Sequence, residues 1–214
     1  MSDYDQLMNL IRSRRSIRRF AQCPVSRDHL MRLLEAASWA PSNHNRQPWR
    51  FLVIEDRQRI VALAGMVERR LTEELKSLPE PAATYAGEFR HYATFFAQAP
   101  VLVVVLHKQP VSVSAPLLAR LKNPELVSGE PLSAAMAVQN LLLAAQALGL
   151  GACVLTGPLL AQEALADALV LPAGHELTCL VAVGHPAECP PAPRRKSIEQ
   201  IAEFGACPAI GERK

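Results

Sequence analysis

Aromatic residues are scarce, 5% of 214 residues, so the hydrophobic core must be built mostly from Ala, Leu and Val. The five cysteines, Cys23, Cys153, Cys179, Cys189 and Cys207, are odd in number and none sits in a C-x-x-C pair. That excludes a disulfide framework and a zinc knuckle and fits a reduced, cytoplasmic setting. The six histidines are scattered, with no H-x-x-x-H on a helix, so no metal site is expected. GLGACVLTG at 149–157 starts like a dinucleotide fingerprint, but Val154 stands where the third glycine belongs. There is no G-x-x-x-x-G-K-[ST] loop, and no G-x-S-x-G elbow to anchor a hydrolase triad. The N-terminal MSDYDQLMNL begins with acids and lacks the basic-then-apolar order of a signal peptide.

Charge is absent from Pro131 to Gln162, a run of 32 residues. Within it only Ser133–Leu148 reads as helix, short of the ~20 residues a bilayer needs. Gln139, Asn140 and Gln146 interrupt it further. A helix buried in a core or a subunit interface is the expectation, and not a membrane span. The formal net charge of +3 is also unevenly placed. Five arginines and two aspartates in the first 20 residues account for all of it. A protein basic all over is therefore excluded, while a local anion site is not.

Hydrophobic spacing predicts strands interleaved with helices along a single domain, residues 1–214. Leu7, Leu10 and Ile11 share a face of an opening helix. Ser26 caps a second helix, with Leu30, Leu33, Leu34 and Ala37 inward, and Pro41 stops it. FLVI at 51–54 is a strand. A helix from Arg57 to Leu78 turns Ile60, Leu63, Val67, Leu71 and Leu75 inward. Phe89, Tyr92, Phe96 and Ala99 mark the next helix, and VLVVVL at 101–106 is a strand buried on both faces. Residues 107–131 are irregular, with a short helix at 116–121. Strands at 152–155 and 177–183 flank a short helix at 162–168. A last short helix carries Ile198, Ile201 and Phe204.

Three segments offer chemistry; one is the end of 149–157, where Gly157, between Thr156 and Pro158, lets the backbone approach a ligand closely. In RSRRSIRRF, residues 12–20, Arg14, Ser16 and Arg18 alternate, so an extended chain aims all three to one side. Guanidinium and hydroxyl donors suit a phosphate. The alternatives are a solvated basic turn, favoured anyway at a helix C-terminus, and a nucleic-acid arm, for which Phe20 is the only nearby stacking residue. In APSNHNRQPWRF, residues 40–51, Ser42, Asn43, Asn45 and Gln47 supply donors and acceptors that match a heterocycle edge or furnish an ordinary loop. His44 lies within it.

RRSIRRF, APSNHNRQPWRF, AMAVQNLLLAAQALGLGACVLTG and VAVGHPAE…PPAPRRKSIEQI, in that order, resemble the nitroreductase family of FMN-dependent oxidoreductases. The resemblance covers about residues 10 to 201. The form of the second motif is similar to the branch found in deazaflavin cofactor biosynthesis. The resemblance implies an α+β, three-layer α/β/α fold with a central mixed sheet, in an obligate homodimer with FMN at the interface. By position, Arg14, Arg15, Ser16 and Arg18 would hold the FMN phosphate, ribityl chain and pyrimidine edge, and Arg195 and Lys196 would complete the phosphate grip. Pro41, Ser42, Asn43 and Asn45 would come from the other subunit, with Gln47 nearby. Leu155, Thr156 and Gly157 would run beside the isoalloxazine. No side chain is expected to act as a dedicated general base. The implied reaction is ping-pong hydride transfer from NAD(P)H, through FMN, to a nitroaromatic, quinone or enone. Alternatives are a dedicated FMN enzyme of cofactor biosynthesis or a non-catalytic flavin-binding dimer. Tyr92 and Phe95 stand where the best-known branch has Asn and Lys, and 107–131 is the expected lid.

Overall fold

The computed structural model describes residues 2–76, 86–109, 120 and 129–205. Among the described residues the chain forms six α-helices and four strands: α1 (Asp3–Ser13), α2 (Arg27–Ser38), β1 (Trp49–Ile54), α3 (Arg57–Lys76), α4 (Ala86–Thr94), β2 (Val101–Lys108), α5 (Gly129–Ala147), β3 (Gly151–Leu155), α6 (Gln162–Leu169) and β4 (His175–Gly184). The helix starts follow local chemistry. Ser2 and Asp5 form a capping box on α1, and the Ser26 hydroxyl accepts from the His29 amide on α2.

The sheet has the order β1-β2-β4-β3, and each strand pair is antiparallel. The mixed character expected of it is confined to one isolated parallel bridge, Ser16 to Ala152. Among the described residues, α3, α4 and a 3-10 turn separate β1 from β2, and a 3-10 turn plus α6 separates β3 from β4. The chain reverses each time, which makes neighbouring strands antiparallel.

The three-layer expectation holds. On β2, Leu102, Val104 and Leu106 join a core with Ile60, Leu63, Val67 and Leu71 of α3, while Val101, Val103 and Val105 join Leu30 and Leu33 of α2 and Ala134, Ala137 and Leu141 of α5. Period-two alternation thus serves both faces of one buried strand. The aromatic helix differs from its expected form. α4 ends at Thr94, and Phe95–Gln98 is a 3-10 turn. Phe95 and Phe96 are buried, whereas Phe89 and Tyr92 are exposed. The expected last helix is a 3-10 turn at Ile198–Gln200, and Ile198, Ile201 and Phe204 are all exposed. β2 runs on to Lys108 and α5 begins at Gly129, so residues 107–131 are regular at both ends. Most of the expected lid and the short helix at 116–121 lie outside the described residues. Among the described residues, no helix is long and apolar enough to cross a membrane.

Candidate functional site

The chain leaves α1 as an extended arm along the outer edge of β3. The Ile17 amide donates to the Ala152 carbonyl at 3.1 Å, and Ile17 fits over Gly151, where a Cβ would lie 2.8 Å from it. The arm thereby covers a strand edge. A C-terminal segment lies beside it: Ala21 donates to His185, Ala187 to Arg19, and Phe20 bridges to Pro186. Glu188 accepts from the amides of Arg18 and Arg19 at 2.5 and 3.0 Å.

Alternation along the arm separates its cations. Arg15 folds its guanidinium onto main-chain carbonyls, donating from Nε to Pro190 at 3.2 Å and from Nη1 to Arg12 and Arg14 at 2.6 and 2.8 Å. Arg14, Ser16 and Arg18 are half-buried around the Cys153 thiol of β3. Burial raises that thiol's pKa, while Arg18, a Ser16 hydrogen bond and Arg14 pull it down. The Arg18 guanidinium lies 5.1 Å from the centre of the Tyr92 ring, a cation–π contact. Among the described residues, neither Arg14 nor Arg18 forms an ion pair, although Arg27, Arg32, Arg46 and Arg70 all do.

β3 ends here too. Leu155 sends its side chain into the core, so only its backbone can face a ligand. Thr156 is exposed, and Gly157 packs against α4: a Cβ on it would lie 3.1 Å from the Ala93 Cβ and 3.8 Å from Phe89. Arg195 and Lys196 are exposed, a few residues beyond the paired arms.

The second polar segment is at the opposite edge, before β1. Three sheet spacings, about 14 Å, separate β1 from β3. One chain therefore does not bring Ser42, Asn43, Asn45 and Gln47 onto the Arg14–Ser16–Arg18 edge. After Pro41 the chain makes a 3-10 turn, Asn43–Asn45, and His44, Asn45 and Gln47 all take left-handed φ of 51, 52 and 47°. Each such non-glycine residue costs about 1–3 kcal/mol, so surrounding contacts must enforce the shape. The Ser42 hydroxyl accepts from the Gln47 amide at 3.0 Å, and Gln47 Nε2 donates to Asn45 Oδ1 at 3.3 Å.

Under this turn lie the buried polar side chains of the described residues, His107, Glu130 and Ser133. The Ser133 hydroxyl accepts from the Asn43 amide at 3.4 Å, and Glu130 Oε1 pairs with Arg46 Nη1 at 3.2 Å. His107, opposite Trp49, bonds through Nδ1 to Thr178 at 2.9 Å and lies 3.4 Å from Glu176. Burial pushes its pKa down, with Glu176 and Glu130 opposing. The sequence pattern does not single out Arg46, Glu130, Ser133 or His107. The one visible trace is that Glu130 is the last charge before the uncharged run.

The donor set suits one group class. Two guanidiniums that form no ion pair among the described residues, a hydroxyl and a pair of exposed cations fit a phosphate monoester. A strand end with a glycine backbone beside exposed Phe89 and Tyr92 fits a flat ring system. FMN combines both features. Among the described residues, no group of three or more His, Cys, Asp or Glu could hold a metal.

Known proteins share this architecture. An iodotyrosine deiodinase from Thermotoga neapolitana is 30% identical, with 92% of this chain and 97% of the relative covered. An NADH dehydrogenase from Thermus thermophilus is 29% identical over 88% of this chain and 90% of its own. A BluB-like flavoprotein from Clostridium difficile superposes with a TM-score of 0.80 at 27% identity, covering 92% and 98% of the two chains. A nitroreductase-type protein from Desulfovibrio desulfuricans in complex with FMN has a TM-score of 0.66 at 33% identity, covering 93% and 96%. With the family model matching residues 11–185, the chain belongs to the nitroreductase family.

Proposed function

We propose that the protein is an FMN-dependent oxidoreductase that takes a hydride from NAD(P)H and delivers it to an electron-poor acceptor such as a nitroaromatic, quinone or enone. The observation that carries this reading is the set Arg14, Ser16 and Arg18, gathered on the β3 edge around Cys153, with neither guanidinium in an ion pair among the described residues. The FMN complex of a relative and the NADH dehydrogenase name of another support it. When bound, FMN supplies the hydride chemistry.

The chain's own tasks are binding, orientation and control of access. Arg14 and Ser16 donate to the phosphate and ribityl chain, with Arg195 and Lys196 reaching in from the C-terminal segment. Arg18, held on Tyr92, presents positive charge to the pyrimidine edge, where charge accumulates on reduction. Arg15 ties the arms together and so fixes where its neighbours point. The backbone of Leu155, Thr156 and Gly157 lines the ring. No side chain has to abstract a proton.

The working unit in this reading is a homodimer. Pro41, Ser42, Asn43, Asn45 and Gln47 of one protomer complete the arm site of its partner, since a single chain keeps them on opposite sheet edges. α5 has an exposed apolar flank, Leu132 and Met136, and α1 exposes Tyr4, Leu7 and Ile11. These faces are the candidate seam.

A second reading, a dedicated FMN enzyme of a biosynthetic or dehalogenating reaction, is favoured by Tyr92. Its ring occupies Arg18, and the BluB-like flavoprotein and the deiodinase are among the relatives. Steady-state oxidation of NADH and NADPH with a nitroaromatic acceptor separates the two. Turnover near the rate of flavin reduction supports the broad reductase. Fast flavin reduction with no turnover on nitroaromatics or quinones supports the dedicated enzyme. A flavin that NAD(P)H never reduces contradicts the first reading.

A further inference from the structure

We infer that Glu130 is a positioning residue for the polar turn at 42–47, acting through Arg46. The inference rests on the reading that this turn completes a flavin site.

Three non-glycine residues of the turn, His44, Asn45 and Gln47, are left-handed. Conformations of that kind persist only where the surroundings over-determine them. The turn is exposed from Asn43 to Gln47, so its own packing cannot do this. What lies beneath it can. Glu130 is buried in the first turn of α5, a position that favours an anion, and its carboxylate meets the Arg46 guanidinium at 3.2 Å. Arg46 sits between Asn45 and Gln47, and its amide donates to the Asn43 carbonyl at 3.1 Å. One turn on, Ser133 accepts from the Asn43 amide, and Asn43 rests on Gly129, where a Cβ would crowd it at 3.1 Å. The N-terminus of α5 is therefore a mould for the turn, and the Glu130–Arg46 pair is a charged tie between them. A buried carboxylate is costly unless paired, which gives the tie direction: Arg46 is drawn down onto Glu130, and its neighbours are turned outward.

The test uses the full-length protein with FMN as the probe. Four variants are compared with the parent: Glu130→Gln, Arg46→Met, the double variant and Arg46→Lys. FMN dissociation constants, thermal midpoints and amide exchange at Asn45 to Gln47 are measured for each. Both single changes should weaken FMN by about tenfold and speed exchange in the turn. The double variant should be within about twofold of the worse single, because the two changes break one interaction. Arg46→Lys, which keeps the cation, should recover most of the affinity.

Affinities within about twofold of the parent for both singles, or losses that multiply to about a hundredfold in the double, would overturn the inference. A lowered midpoint with unchanged affinity and turn exchange overturns it too, since Glu130 would then be merely structural. If the parent protein binds no FMN, the flavin reading fails separately. The positioning claim is then decided by amide exchange, which needs no ligand.

Discussion

Arg14 and Arg15 are neighbours in sequence with opposite surroundings, and this difference is the sharpest handle on the arm. Arg15 spends its donors on Pro190, Arg12 and Arg14 carbonyls, whereas Arg14 has no ion-pair partner among the described residues. Arg14→Ala should therefore weaken FMN binding by about 10- to 100-fold, the equivalent of a charged hydrogen bond, with little change in the melting of the apoprotein. Ser16→Ala should cost about fivefold, as for a neutral hydrogen bond. Fluorescence quenching of free FMN measures both, and a purified variant that stays fully yellow would count against these assignments. His107 offers a pH test. Its pKa in the folded state lies below the usual value of about 6.5, because burial disfavours the imidazolium. The unfolded chain then binds the proton first as pH falls, so stability is lost through and below about pH 6.5. His107→Gln should reduce the drop in melting temperature between about pH 7.5 and about pH 5.5. An unchanged drop would show that His107 is not its source.

At the scale of elements, the arm and β3 form one unit held by a close approach. Gly151 leaves room for Ile17, and a Cβ would lie 2.8 Å from three of its side-chain atoms. Gly151→Ala should cost about 1–3 kcal/mol of stability by overpacking. It should also weaken FMN, because lifting Ile17 moves Ser16 and Arg18 with it. A melting curve and a flavin titration on the same sample test both halves, and a destabilised variant with full affinity would separate arm from site. Much of this level was legible in the sequence. Ser26 announces α2, five apolar residues at helical spacing announce α3, and VLVVVL announces a doubly buried strand, because each signal is local. What escaped depends on the partner element. Phe89 and Tyr92 share the helical spacing of core residues, yet they are exposed where α4 faces the end of β3. Strand direction is not written in any one strand, so the antiparallel sheet was not foreseen. Glu130 and Arg46 lie 84 positions apart, and nothing local joins them. The left-handed residues His44, Asn45 and Gln47 were equally hidden, since Asn and His favour positive φ only weakly and Gln hardly at all, beside glycine.

At the scale of the whole molecule, the proposed site is built from two chains. The arm site and the polar turn are at opposite sheet edges, so in the proposed function each site takes its turn from the partner. Leu132, 59% exposed on α5, is the most accessible apolar residue of that helix's outward face. Leu132→Glu should convert the proposed dimer to monomers by placing an unpaired charge in its candidate seam, a penalty of about 2 kcal/mol or more. Flavin should be lost with it, and sedimentation velocity with absorbance at the flavin band would report both. A monomeric variant with full FMN affinity would refute the shared site. In the proposed function the cations of the two arms hold FMN, and NAD(P)H reduces it. Both steps are tested most directly by the absorption spectrum of the purified protein after incubation with FMN and removal of excess, followed by anaerobic titration with NADPH. An oxidised flavin spectrum at one FMN per chain, bleaching as NADPH is added, is the expected result. A colourless protein that cannot be reconstituted with FMN would contradict it.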